Sequence, residues 1–386
     1  MQNFDFDKIT DRRGTSSLKW DVGENELPLW VADMDFPTAP AVRKALEKRV
    51  AHGIFGYSVV PDSWAESYIG WWKARHGFEI KSDWLIFTTG IVPAISTCVR
   101  KLTTPAEKVL VQTPCYNIFF NSIVNNGRFP VESPLAFDGE KYSIDFERLE
   151  KDLSDPQVSL MILCNPQNPA GNIWSREDLA EIGALCKKHG VTVFSDEIHC
   201  DIAEPGKGYV PFASASETCA EISVTGIAPT KCFNIAGINT AAVVVPNPLL
   251  RHKVWRALNT DEVAEPNAFA VDAAVAAFTE GGEWLDALNQ YLFDNRKFAA
   301  DFIRELNRGF AVIDGEATYL LWVKVPEKFG SGDEFASNLR KETGLYIAGG
   351  SEYGKSGGSF VRINLACPRS VLEDAMARLK KFVESK

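Results

Sequence analysis

Gly226-Ile227-Ala228-Pro229-Thr230-Lys231-Cys232-Phe233-Asn234-Ile235-Ala236-Gly237 is the stretch on which the reading of this chain turns. It continues from the apolar run Ile222-Ser223-Val224-Thr225, so its lysine is expected just beyond a buried strand. Two upstream segments have the same form. Asn165-Pro166-Gln167-Asn168-Pro169-Ala170-Gly171 follows the apolar run 158–164, and Ser195-Asp196-Glu197-Ile198-His199 follows the run 191–194. An amide, a carboxylate and a lysine, each past a strand end, form the set that a pyridoxal phosphate cofactor needs. The lysine amine bonds the aldehyde carbon, the carboxylate pairs with the pyridine nitrogen, and a polar donor meets the ring oxygen. A lone lysine would mean little; the order of the three segments carries the reading.

Further apolar runs at 84–88, 108–112 and 240–245 lack polar alternation and are spaced for crossover helices, which predicts a mostly parallel buried sheet. One crossover helix is well marked. Ser175 and Asp178 form a capping pair, Leu179, Ile182, Leu185 and Cys186 recur at helical spacing, and Gly190 ends it. Nearer the start, Thr38-Ala39-Pro40 opens a helix expected to bury Val42, Ala45, Leu46 and Val50 and to stop near Gly53. The last third holds a long helical pattern over 284–306 and strands near 318–325 and 360–365. Ser370 with Glu373 is expected to cap a final helix buried along Leu372, Met376, Leu379 and Val383. The Gly-rich segment 349–358 reads as flexible. The expected organisation is an α/β domain over 46–280, a parallel sheet with helices on both faces, and a smaller α+β domain built from 1–45 and 281–386.

Composition narrows the function classes. A formal net charge of −10 without a basic block argues against nucleic acid. No apolar run is long enough to cross a bilayer, and the first residues lack a basic n-region and an apolar h-region. Eight cysteines without a Cys-x-x-Cys pair read as buried small hydrophobes in a reducing compartment, so a cytoplasmic protein is expected. Five histidines without ligand spacing argue against a metal site.

The remaining candidates each have a plain alternative. Asp196 at the carboxyl end of a central strand stands where α/β sheets place ligands; taken alone it is a solvated strand-end acid. Asn168 is the amide placed to donate to a ring hydroxyl, although turn chemistry alone explains Asn-Pro pairs. His199 is either a second donor to that oxygen or a structural histidine. Thr88-Thr89-Gly90-Ile91-Val92-Pro93 runs from strand to helix, where Gly90 is expected to take an unusual backbone angle and the free amides of Gly90, Ile91 and Val92 to form an anion site. Tyr116 either stacks on an aromatic cofactor or packs in the core. Arg362, in Phe360-Val361-Arg362-Ile363-Asn364, either clamps a substrate carboxylate or makes an internal ion pair.

Taken together, the chain resembles a fold-type I pyridoxal phosphate enzyme of the class I/II aminotransferase superfamily over essentially its whole length. Within that group it is most similar to bacterial C–S β-lyases of the cystathionine β-lyase MalY/PatB type. The resemblance rests on Val31-Ala32-Asp33-Met34-Asp35-Phe36, Gly56-Tyr57, Thr113-Pro114-Cys115-Tyr116-Asn117, the three segments quoted first, and Arg362-Ile363-Asn364. It implies pyridoxal 5'-phosphate as cofactor, Lys231 as the lysine bonded to it, Asp196 on the ring nitrogen and Asn168 on the ring oxygen. It further implies Tyr116 as the stacking ring, Gly90 to Val92 with Thr230 at the phosphate, and Arg362 on the substrate carboxylate. Tyr57 would come from a second subunit of a homodimer with shared active sites. Two positions depart from the pattern: Ala228 replaces a serine common in relatives, and Asn239 stands where aminotransferases often place a phosphate-binding arginine. The implied reaction is β-elimination from a cysteine S-conjugate. An aminotransferase, or a cofactor-binding regulatory protein with incidental lyase activity, are the alternatives.

Overall fold

The apolar runs assemble into one seven-stranded sheet in the computed structural model, which describes residues 4–386. Its strands are β1 (Leu85–Thr88), β2 (Lys108–Thr113), β3 (Phe129–Pro134), β4 (Val158–Cys164), β5 (Thr192–Asp196), β6 (Ser223–Ile227) and β7 (Ala241–Val244). The spatial order is β1-β7-β6-β5-β4-β2-β3, parallel throughout except that β7 runs against both β6 and β1. All seven strands are short, and the central ones are buried on both faces. On β4, Leu160 and Ile162 pack with Ile95 and Val99, while Met161 and Leu163 pack on the other side with Leu179 and Ile182. Burying each such side chain contributes roughly 1.5–3 kcal/mol, so a doubly covered sheet is strongly held.

Strand β3 was not foreseen. Phe129-Pro130-Val131-Glu132-Ser133-Pro134 carries two prolines, which a central strand cannot accommodate because each removes a ladder donor. It pairs on one side only, with β2, so the edge tolerates them.

The helices that matter here are α1 (Pro40–His52), α2 (Ile91–Leu102), α3 (Arg176–Lys188), α4 (Gly282–Glu305) and α5 (Arg369–Glu384), with others between them. Helix α3 is capped as expected, with a reciprocal Ser175–Asp178 box. Helix α1 ends at Gly53 in the left-handed conformation, but Val50, expected in the core, is exposed. Helix α5 overturns the Ser370 expectation. Its N-cap is Pro368, with no side-chain cap, and Ser370 lies inside the first turn. The Arg369 amide instead donates to Tyr291 Oη at 2.6 Å, so a helix-external hydroxyl does the work a cap would do.

A second sheet of four antiparallel strands, β8 (Ala311–Val312), β9 (Leu320–Lys324), β10 (Ala348–Gly349) and β11 (Phe360–Asn364), lies in the order β8-β9-β11-β10. Near the start of the chain, Leu27–Pro28 pairs in parallel with Leu345–Tyr346, tying the two termini together.

The Gly-rich segment before β11 is not a flexible lead. It forms β10 and two short turns around Tyr353, which is fully buried. A Cβ on Gly350 would strike the Gly357 carbonyl, and one on Gly357 would strike the Gly350 carbonyl. The glycines serve close backbone approach rather than mobility.

Candidate active site

Five loops at the carboxyl ends of β1, β2, β4, β5 and β6 enclose a cavity of about 180 Å³, lined among others by Gly90, Tyr116, Asn168, Asp196, His199 and Lys231. Ligand sites in parallel sheets gather at these ends because the crossover loops part there. The three segments that open the sequence reading therefore meet in space, as their positions after strands require.

Asp196 is the last residue of β5 and is buried. Its Oδ1 accepts from the Ile198 amide at 3.1 Å, and no basic group among the described residues lies within ion-pair distance. Burial pushes its carboxyl up to about 6. A desolvated carboxylate without a cation is costly, and a protonated pyridine nitrogen is the partner that would offset that cost.

Lys231 reaches the same cavity from the loop after β6. Its Nζ donates to the Ala32 carbonyl at 2.7 Å. Burial and the nearby Arg362 charge lower its amine to about 8. An amine so placed is neutral in a useful fraction near neutral pH, as a nucleophile or base must be.

Asn168 accepts at Oδ1 from Arg362 Nη1 at 3.3 Å, which leaves its amide hydrogens as donors. His199 is buried, and desolvation with the Lys231 charge holds its ring down to about 3, so it is neutral. Its Nδ1 has no partner, so a ligand acceptor or donor at that edge would satisfy it. Tyr116 packs edge-on against Phe119 with centroids 5.6 Å apart, and burial raises its hydroxyl.

Gly90 corrects one expectation. Its φ of 175° is ordinary extended backbone, not a left-handed angle. A Cβ there would come 3.2 Å from Pro93 Cδ, so the requirement is space beside the proline. Helix α2 starts at Ile91, and the amides of its first turn open on the cavity that Thr230 and Asn239 also line. A helix N-terminus of this length suits a phosphate.

Arg362 on β11 comes in from the second sheet. Its Nη2 donates to the Trp30 carbonyl at 3.0 Å, and its guanidinium lies 4.8 Å over the Tyr353 ring. Among the described residues it makes no ion pair, and its buried Nε has no partner. The internal ion pair that was the alternative is absent among those residues, and a donor is left for an anion. Tyr57 is fully exposed and contributes nothing to the cavity of its own chain.

Sequence reasoning missed the backbone of 30–34 as part of the site. Lys231, Tyr319 and Arg362 donate to the carbonyls of Ala32 and Trp30. Asn234 and Asn364 clamp the same loop through Met34, Phe36, Val31 and Asp33. Carbonyls have no residue signature, although two asparagines beside Lys231 and Arg362 are a signal of sorts. Metal-type donors gather among the described residues only at His76, Cys200 and Asp201, outside this cavity. There Asp201 Oδ1 lies 2.9 Å from His76 Nε2 and accepts from Trp71 Nε1 at 2.9 Å, so the set is already bonded without an ion.

These residues fit pyridoxal phosphate. An uncompensated buried carboxylate, a lysine amine, a partnerless imidazole edge and a helix N-terminus surround one cavity. The comparisons agree. The sequence pattern of the family Aminotransferase class I and II matches residues 24–379. The chain is 42% identical over 381 residues to cystathionine beta-lyase PatB of Bacillus subtilis, covering 97% of this chain and 98% of that one. It is 32% identical to protein MalY of Escherichia coli, with 97% and 98% covered. The structure of the PLP-bound C–S lyase from Staphylococcus hominis superposes with a TM-score of 0.92 at 32% identity, over 99% of this chain and 98% of that one.

Proposed function

The chain belongs to the aminotransferase class I and II family, and from that footing we propose that it is a pyridoxal-phosphate-dependent carbon–sulfur β-lyase. It cleaves L-cystathionine or related cysteine S-conjugates to pyruvate, ammonia and a thiol. The observation that carries the reading is the convergence of Lys231, Asp196 and Asn168 on the cavity that Arg362 approaches from the second sheet.

Lys231, Asp196, Asn168, His199, Tyr116, Thr230 and the amides at Gly90 to Val92 would hold the cofactor. When bound, it supplies the electron sink for the charge left at the substrate Cα. Arg362 binds the α-carboxylate through its free edge and so fixes which substrate bonds face Lys231. The Lys231 amine takes the Cα proton, and its lowered pKa makes it a base near neutral pH. The Cβ–S bond then breaks with its electron pair leaving on sulfur. Asn168 joins the two ends of the site, since its carbonyl orients Arg362 while its NH2 stays available to the cofactor.

We assign residues 46–280 to the cofactor-binding domain and 1–45 with 281–386 to the small domain bearing Arg362. A second copy of the chain covers the exposed Val50, Ile54, Phe55 and Val59 and brings in its Tyr57, so the sites are shared in a homodimer. Eight free buried thiols suit the cytoplasm, and no described helix is long and apolar enough to cross a membrane.

Product analysis tests the function. Incubation with L-cystathionine should release pyruvate and a thiol in equal amounts. Formation of a keto acid that retains the sulfur, with no thiol, would show an aminotransferase instead.

A further inference from the structure

Immediately after Asp196 stands a second buried carboxylate that the mechanism does not use. Glu197 has no solvent exposure, and no basic residue among those described pairs with it. Four donors converge on it instead. Oε1 accepts from Ser195 Oγ at 2.8 Å, the Phe212 amide at 2.8 Å and Asn165 Nδ2 at 3.3 Å, and Oε2 accepts from Tyr209 Oη at 2.9 Å. The direction of the last bond is settled by Trp72, whose donor-only indole Nε1 gives to Tyr209 Oη at 3.1 Å and leaves the phenol proton to Glu197.

Two of those donors, Ser195 and Asn165, come from the two segments that form the cofactor end of the cavity. Ser195 is the residue before Asp196. Asn165 begins the turn that ends in Asn168, and its own amide donates to the Asp196 carbonyl at 2.9 Å. The Glu197 amide donates to the Gly226 carbonyl at 2.9 Å, at the end of the strand that leads to Lys231. The other two donors, Tyr209 and Phe212, belong to the loop packed behind. Only an ionised carboxylate accepts four such bonds with no proton of its own to place. A glutamine offers one acceptor and turns an NH2 toward a donor.

We propose that Glu197 is a positioning residue: by gathering Ser195, Asn165, Tyr209 and the Phe212 amide on one carboxylate, it sets Asp196 and Asn168 in register with each other across the cofactor cavity. The proposal rests on the assignment of Asp196 and Asn168 to the cofactor. It touches neither cofactor nor substrate and acts through the peptides on either side of Asp196. Desolvation pushes its carboxyl up to about 7 and the four donors pull the other way. Around it lie Asp196, Tyr209, whose ring meets His76 edge-on at 4.7 Å, and the Cys200 thiol. The arrangement is thus held by hydrogen bonds against a large cost of burial, which is a costly way merely to fill space.

The test compares Glu197→Gln, Tyr209→Phe and Asp196→Asn with the wild-type holoenzyme in three measurements: kcat and KM, the pH midpoint of the cofactor absorption band, and thermal stability. Glu197→Gln should lower kcat about tenfold or more with KM little changed, since misplacement of a fixed group by a fraction of an ångström acts on turnover. The absorption midpoint should move by roughly half a pH unit or more. Tyr209→Phe removes one donor and no charge and should move both in the same direction by less. If Glu197→Gln does not fold, Tyr209→Phe decides on the same readouts. Lowered thermal stability with unchanged kcat and unchanged midpoint overturns the proposal, because a merely structural residue behaves so. Asp196→Asn separates the two levels: if it leaves the band and turnover unchanged, the cofactor assignment itself has failed. If it abolishes turnover while the Glu197 and Tyr209 variants match wild type, only the Glu197 proposal has failed.

Discussion

Lys231 and Asp196 show how much one residue's surroundings decide. Lys231→Ala should remove any covalent fixation of the cofactor by borohydride, measured by mass spectrometry of the intact chain; a cofactor adduct persisting in the variant would rule out Lys231. Asp196 makes the stability of the chain depend on pH. Its folded pKa, about 6 in the cofactor-free chain, lies above the ordinary carboxylate value, so the folded state holds the proton more firmly than the unfolded one. The associated stability is present below pH 3.8 and is lost as pH rises through 6. The full loss is about 3 kcal/mol. Cofactor-free Asp196→Asn should therefore exceed wild type in urea stability by about that amount at pH 8 and match it near pH 3. The neutral His199, held low, favours the opposite pH trend but cancels between the two proteins. Equal stability at both pH values would show that Asp196 is not desolvated.

The elements bearing Arg362 behave as a packed unit, and two predictions belong to them. Gly357→Ala pushes a methyl group into the Gly350 carbonyl and should cost about 1–3 kcal/mol in denaturant unfolding. No loss would mean that the segment is as loose as its glycine content first suggested. Arg362→Ala should cost about 2–4 kcal/mol in kcat/KM, roughly thirty- to a thousand-fold, with the cofactor still bound. Arg362→Lys should recover little, because an ammonium lacks the planar fork that meets Trp30, Asn168 and a carboxylate together. Against the same substrate with its α-carboxylate amidated, the wild type and Arg362→Ala should be equally poor. A further loss in the alanine variant would make Arg362 structural.

At the scale of the molecule, the exposed apolar run at 50–60 is the feature that a single chain leaves unexplained. Ile54→Asp should shift the protein to monomers in sedimentation velocity and abolish turnover, whereas Tyr57→Ala should lower turnover and leave the dimer intact. Monomers with full activity would refute shared sites.

The sequence by itself determined the doubly covered sheet and the placement of Asn168, Asp196 and Lys231. Short apolar runs spaced for crossover helices read as buried strands, and the polar segments that follow them stand at strand ends, where such sheets open. It also showed the α3 cap, since a capping box is local chemistry. Tertiary structure decided what depends on distant partners. Strand β3 exists because the sheet edge excuses its prolines, and Tyr291 replaces Ser370 at the start of α5. The glycines of 349–358 enclose Tyr353 instead of loosening the chain. The carbonyls of Trp30 and Ala32 meet Arg362 and Lys231 through long-range packing, in which the pairing of Leu27–Pro28 with Leu345–Tyr346 and the bonds from Asn234 and Asn364 hold that loop in place. Local pattern records what a residue prefers among its neighbours in sequence, while long-range packing chooses which carbonyl, ring or proline it finally meets.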